Sequence, residues 1–420
     1  MTANGRAPAP APEVFAASRD HLVRTSSAMQ RILGRNAYAV SGQGAEVKLS
    51  DGGRVIDFGS FAATLLGHRP PAVVAAVQHQ LGLLPGAAKG LANAPAPELA
   101  RRLVELARPS GLDRVWLGLN GSDAVEAALK LARKSTGRLR ALAVRGGFHG
   151  RTLGALSLSD GDHYHADLDP LLGHVSYVDV TADAVAREVE RGDVAALFFE
   201  VVQGGGPVVP LPAEVLRRWC SDARRAGVAI VADEIQTGLW RCGPFSLALD
   251  LGLDPDAVLF SKALGGGVMP LSAALCRSSL VAPLEQSPYL HSQTFSGHPL
   301  ACAAGVAALD ALPAAVEAHA ARVGRELAAM LERVAAHGEV VAGVYALGLM
   351  GSIEFRSAQA AQHFVIGAAR DGLLLWPCDG APTVVRILPP LVATPDETDR
   401  AASILDRQCA VAGSREGHLA

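Results

Sequence analysis

Between about residues 60 and 300 the chain alternates short, continuously apolar runs with amphipathic stretches of helical period. No other feature of the sequence constrains its fold as much. The runs 115–119, 141–144, 194–199, 228–232 and 257–260 carry no polar alternation. A strand with one wet face alternates, whereas a strand covered on both faces does not need to. Between the runs lie segments such as 124–134 and 213–226, whose apolar residues recur on one helical face. This order predicts an α/β chain with a mostly parallel central sheet and helices on both faces.

The flanking segments are different. Residues 299–337 read as long Ala-rich helices, and the remainder mixes strand candidates 351–355 and 384–388 with helices. We therefore expect a large domain over 56–300 and a smaller α/β domain over 301–420. Residues 1–55 are too few for a core of their own and are expected to pack on the smaller domain. The opening MTANGRAPAPAPEVFAA reads as a flexible arm without the apolar centre of a signal peptide, and the tail AVAGSREGHLA reads as frayed.

Composition excludes several function classes. The net charge is −3 and no basic run occurs, which disfavours nucleic acid and anionic membranes as partners. No apolar stretch is long enough to span a bilayer. The six cysteines have neither CxxC nor metal-ligand spacing, and this suits free thiols in the cytoplasm. Of 38 basic residues only five are lysines, and Lys262 is the only one after residue 134. It sits in the apolar string VLFSKALGGG. A desolvated lysine can become a nucleophile, which an arginine cannot. Chance survival of one lysine explains the count equally well, so its neighbours have to decide.

In open α/β sheets the loops at the carboxyl ends of strands build the site. After 115–119 comes Asn120-Gly121-Ser122-Asp123 and a helix that Gly137 can end. Its free amides, with Gly121 and the Ser122 hydroxyl, suit a phosphate; an ordinary N-cap uses the same residues. After 141–144 comes Gly146-Gly147-Phe148-His149-Gly150-Arg151-Thr152, where Phe148 could lie on a planar ligand or simply fill a core. After 228–232, Asp233 ends a buried strand, where a carboxylate needs a partner such as a protonated pyridine nitrogen. Ile235 could then pack on the ring and Gln236 could bond a phenolic oxygen. The alternative for Asp233-Glu234, a metal or capping pair, has no His or Cys beside it.

The strings NGSDAVEAALKLAR, GFHGRTLGALSLS, EVVQGG, VADEIQTG, FSKALGGG, TFSGHPLACAA and VRILPPL occur in this order from about Asp51 to Thr394. In these the chain resembles the class III (ω-type) aminotransferases of pyridoxal-phosphate fold type I, and it is similar to the acetylornithine, ornithine and 4-aminobutyrate aminotransferases. The resemblance implies pyridoxal 5′-phosphate as cofactor and amino transfer from an amine or amino acid to a carbonyl acceptor through a pyridoxamine phosphate intermediate. Lys262 would be the Schiff-base lysine and proton shuttle, with Asp233 on the pyridine nitrogen and Gln236 on the phenolic oxygen. Phe148 and Ile235 would sandwich the ring, Gly121 and Ser122 would hold the phosphate, and His149 and Glu200 would complete the cofactor shell. Thr294 would reach the phosphate of a neighbouring subunit, which implies a homodimer. Arg386 would clamp a substrate carboxylate, and Arg151 would serve the substrate as well. A racemase, epimerase or aminomutase of the same fold is the alternative, and a non-catalytic cofactor-fold protein is a further one.

Three positions depart from the family pattern. EVVQGGGP stands where EPxQGExG is usual, so Gly205 replaces a glutamate that can neutralise the arginine matching Arg386. Trp240 stands where glycine is usual, and Asn120 where serine or threonine is common. All three are expected to touch substrate reach more than cofactor chemistry. The string Asp162-His163-Tyr164-His165-Ala166-Asp167 has the residue types of a metal site but no further ligands, and it is read as a surface loop.

Overall fold

The computed structural model describes residues 9–86, 90–168 and 170–416. Its centre is a seven-stranded sheet of β1 (Arg114–Gly118), β2 (Arg140–Val144), β3 (Val175–Val178), β4 (Val194–Phe199), β5 (Ala229–Asp233), β6 (Ala257–Phe260) and β7 (Ser272–Cys276). The spatial order is β1-β7-β6-β5-β4-β2-β3. From β6 to β3 every neighbouring pair is parallel, while β7 runs antiparallel to both β1 and β6. All residues of β2, β4, β5, β6 and β7 are buried, as expected of strands covered on both faces. The apolar runs thus mark the parallel strands to within a residue or so. The sequence reading passed over β3 and β7.

The helix Gly121–Thr136 follows β1 and lies under the sheet. Val125, Ala128, Leu129 and Ala132 are buried on its inner stripe. The Asn120 side chain accepts from the Asp123 N–H at 3.1 Å, and Gly137 ends the helix at φ 68°. That left-handed conformation costs glycine little. Asn120 therefore does the capping work that serine or threonine would do, so this departure is neutral for the fold.

The beginning and end of the chain are built together. Strands Ala39–Gln43, Glu46–Leu49 and Arg54–Asp57 form a sheet completed by Leu373–Leu374, which runs parallel to Arg54–Asp57. Leu33, Ile56 and Phe58 share a core with Phe355, Phe364 and Leu405. A third sheet contains Val341–Leu347, Met350–Phe355, Val384–Ile387 and Trp376–Pro377. The helix Pro299–Asp310 packs on Pro71–Leu83 and Pro95–Leu106, so the boundary we propose between large and small domains moves from 300 to beyond Asp310.

Two terminal expectations change. Residues 1–8 lie outside the described residues, but Ala11–His21 is helical, with a proline in the first turn, where a missing N–H removes no helical bond. The final helix Pro395–Glu416 runs through most of the supposedly frayed tail, and residues 417–420 lie outside the described ones. No helix among the described residues is long and apolar enough to cross a membrane.

Candidate active site

The carboxyl ends of β1, β2, β4, β5 and β6 open onto one cavity of about 650 Å3. Gly121, Ser122, Phe148, His149 and Arg151 line one part of it, and Glu200, Asp233, Ile235, Gln236 and Lys262 line another. Residues scattered over more than a hundred positions of sequence thus share one wall.

Asp233 is the last residue of β5 and is buried. Its Oδ1 accepts from the Ile235 N–H at 3.1 Å, and its Oδ2 lies 2.8 Å from His149 Nδ1. Burial lowers the pKa of His149, but the hydrogen bond and charge of Asp233 outweigh it, and the net shift is upward. His149 Nε2 is buried and has no partner among the described residues.

Glu200 directly follows β4 and braces two loops. Its Oε1 accepts from the Phe148 N–H and its Oε2 from the Gly204 N–H, each at 2.8 Å. Burial pushes its carboxyl up to about 7; nearby His149 opposes the shift and Asp233 adds to it. Gly150 has φ 138°, and a β-carbon there would collide with Ser122 Oγ. Glycine is therefore required where this loop crosses the helix terminus, and the Arg151 N–H donates to the same Ser122 hydroxyl at 3.1 Å.

Lys262 follows β6 at φ 37°, a left-handed conformation uncommon for a side-chain-bearing residue. Burial brings its amine down to about 8, and the Arg386 cation adds to the shift. Lys262 and Asp233 stand at the ends of adjacent parallel strands and line the same cavity.

Arg386 does not line that cavity but reaches it indirectly. Its Nη1 donates to Gly204 O at 2.6 Å and to Gln236 Oε1 at 3.2 Å. An arginine only donates, so this contact fixes the oxygen side of the Gln236 amide toward it. Gln236 Nε2 is left buried and without a partner among the described residues. Thr294 is exposed and lies away from this chain's cavity, while its neighbour Gln293 contacts Asp123.

The sequence reading missed Tyr164, which it placed in a surface loop. The ring is buried and lies 5.3 Å from that of Phe148. In the same string, His165 Nε2 bonds the carbonyls of Ser159 and Leu156 at 2.7 and 3.2 Å. Trp240 is buried in the main core against Phe245 and is not among the residues that line the cavity. Its φ of 65° lies in the left-handed region that favours glycine.

The donor set fits a phosphorylated pyridine aldehyde. A capped helix start with Gly121 and Ser122 offers first-turn amides that have no preceding carbonyl to bond. Asp233 offers a carboxylate, Gln236 an orphaned amide and Lys262 an amine of lowered basicity. Fold and site together define a pyridoxal-phosphate enzyme of fold type I. Residues 32–408 match the family described as Aminotransferase class-III, and the chain belongs to it. It is 36% identical over 371 residues to the acetylornithine aminotransferase of Methanopyrus kandleri, covering 87% of this chain and 92% of that protein. It is 34% identical to the putrescine aminotransferase of Pectobacterium atrosepticum over 81% of this chain and 75% of that one. The solved ornithine aminotransferase of Toxoplasma gondii, with partial pyridoxal phosphate at its active site, superposes with a TM-score of 0.85. The two are 29% identical, over 96% of this chain and 95% of that one. The protein is thus a pyridoxal-phosphate-dependent aminotransferase that moves an amino group from an amine or amino acid to a carbonyl acceptor. Nothing in these comparisons supports the racemase, epimerase or aminomutase alternative.

Proposed function

We propose that the donor is a primary amine on a molecule that also bears a carboxylate, and that Arg386 engages that carboxylate. The observation behind this reading is that Arg386 is buried yet donates to neutral oxygens, Gly204 O and Gln236 Oε1, with no acid paired to it among the described residues. A buried guanidinium without an anionic partner favours an incoming carboxylate. Gly205 supplies no competing acid. Acetylornithine and ornithine, in the names of two relatives, each combine a terminal amine with a carboxylate, whereas putrescine, in the name of a third, carries none.

When bound, the cofactor supplies an electron sink for the carbanion formed at the substrate carbon. The protein's residues do the rest. Asp233, oriented by His149, would hold the protonated pyridine nitrogen. Lys262, whose amine is brought down to about 8, would hold the cofactor covalently and would carry the proton that is moved, at Nζ. Phe148 and Ile235, both on the cavity wall, would hold the ring, and Gly121 and Ser122 would hold the phosphate. His149 and Glu200 hold the surrounding loops in place.

The exposed Thr294 is assigned to a second copy's phosphate, which makes the working form a homodimer. All six cysteines are unpaired, which supports a cytoplasmic setting. The test is a half-reaction panel. Loaded enzyme is mixed with terminal-amine amino acids, simple amines and glutamate, and the loss of the cofactor's yellow colour is followed. Carboxylate-bearing amines should react at least about tenfold more efficiently than their decarboxylated counterparts, and Arg386→Leu should erase the difference. Equal reactivity in the wild type would refute the clamp.

A further inference from the structure

The segment that carries Thr294 away from this chain's cavity is tied down at both ends and exposed in the middle. At its far end Gly297 O accepts from Asn93 Nδ2 at 3.1 Å. At its near end the Gln293 amide donates to Asp123 Oδ1, and His291 Nε2 stands 3.3 Å from the same oxygen. The His291 ring packs on Trp116 of β1, with 4.8 Å between centres. Between these ties Thr294 and Phe295 are exposed.

Asp123 is buried, and its second oxygen holds the chain on the other side of the helix start. Oδ2 accepts from the Leu119 N–H at 2.9 Å. A β-carbon at Gly118 would collide with that oxygen, so glycine makes room for the carboxylate. One carboxylate thus fixes both the turn that leads into Gly121 and Ser122 and the strap that bears Thr294. Charge alone disfavours an acid beside residues that would hold a phosphate dianion. What Asp123 supplies at this place is two acceptors pointing in two directions.

We propose that Asp123 is a positioning residue that sets two phosphate contacts at once. One is the cradle of its own subunit; the other, through Gln293 and His291, is the Thr294 hydroxyl offered to the neighbouring subunit's cofactor. The proposal rests on the homodimer reading in which Thr294 serves a second copy. Hydrogen bonds to phosphate weaken steeply with misalignment, so a slack strap loses the contact without losing the fold.

The test is equilibrium dialysis of the full-length protein against pyridoxal phosphate and against pyridoxal, which lacks the phosphate. Gln293→Ala cuts the tie to the strap and should weaken pyridoxal phosphate by about three- to tenfold while leaving pyridoxal unchanged. Asp123→Asn keeps the side chain's size and should weaken pyridoxal phosphate at least as much, whereas a purely electrostatic role would tighten it. Gln293 is partly exposed, so its variant carries the test even if Asp123→Asn does not fold. Thr294→Ala should show the same loss, and adding Gln293→Ala to it should cost nothing further, because the amide acts only through Thr294. Additive losses, equal losses for both ligands, tightening in Asp123→Asn or unchanged affinity in Gln293→Ala each overturn the proposal. If Thr294→Ala alone leaves pyridoxal phosphate binding intact, or the loaded protein sediments as a monomer, the homodimer reading fails and the proposal falls with it.

Discussion

His149 Nδ1 lies 2.8 Å from Asp233 Oδ2 with both side chains buried, so the carboxylate that ends β5 already has a partner in the protein. The imidazole fixes the orientation of the acid while the opposite oxygen is held by the Ile235 amide.

The pKa of His149 is raised in the fold, so its charged pair stabilises the protein fully below the unfolded value of about 6.5. That contribution is lost as pH rises through the folded value. His149→Gln should therefore cost about 1–3 kcal/mol at pH 6 and progressively less toward pH 9. Urea unfolding at several pH values measures the difference. A cost that does not vary with pH would mean that the pair is not charged.

Lys262→Ala should lower turnover by at least about 10^3-fold, because no other lysine among the described residues lines the cavity. In the wild type, cofactor capture by the apoenzyme should rise with pH to a midpoint near 8, where the amine loses its proton. Arg386→Leu removes one cause of the depressed value and should move that midpoint upward. Stopped-flow absorbance gives both midpoints, and a downward or absent shift would separate Arg386 from Lys262.

Trp240→Gly sets two effects against each other. Relief of a left-handed backbone at φ 65° is worth about 1–2 kcal/mol. Loss of a buried tryptophan costs about 3–5 kcal/mol. Packing wins, so the variant should be about 1–4 kcal/mol less stable, with its donor preference intact. A changed donor panel would return this residue to the substrate path.

Arg241 is almost fully buried and bonds carbonyl oxygens, Pro389 O at 2.5 Å and Leu349 O at 3.2 Å. Burial alone brings its guanidinium down to about 10. Arg241→Leu leaves those carbonyls without a donor and should destabilise by about 2–5 kcal/mol, measured by denaturant titration. If stability is unchanged, the carbonyls find other partners.

How legible each part of the site was in the sequence follows from how local its signal is. Asp233 ends a strand and Lys262 stands two residues after one, and the continuous apolar runs of both strands are a local pattern, so the chain itself marks both positions. β7 has the same composition as its neighbours, and strand direction leaves no mark on composition, so its reversal was invisible. The packing of Trp240 against Phe245 was not legible, because a departure from a family pattern does not say which neighbours a side chain meets. Tyr164 was hidden in a polar string because its partners, Phe148 and Arg151, lie in the preceding loop, outside the range of any local period. Asn120 is legible as a cap, since helix capping is set within a few residues.

Because β7 is reversed, it enters the sheet at the same rim where the parallel strands leave it, opposite the end of β1. The span 261–271 is therefore a bridge anchored at both ends on neighbouring strands. Lys262 is borne on a short strut rather than a free arm, with Pro270 and Leu271 closing the same chamber. Added or deleted residues in that strut would shift the nucleophile off target while leaving the rest of the scaffold intact, so natural length variation in this enzyme should be absent there and should gather in loops on the opposite rim.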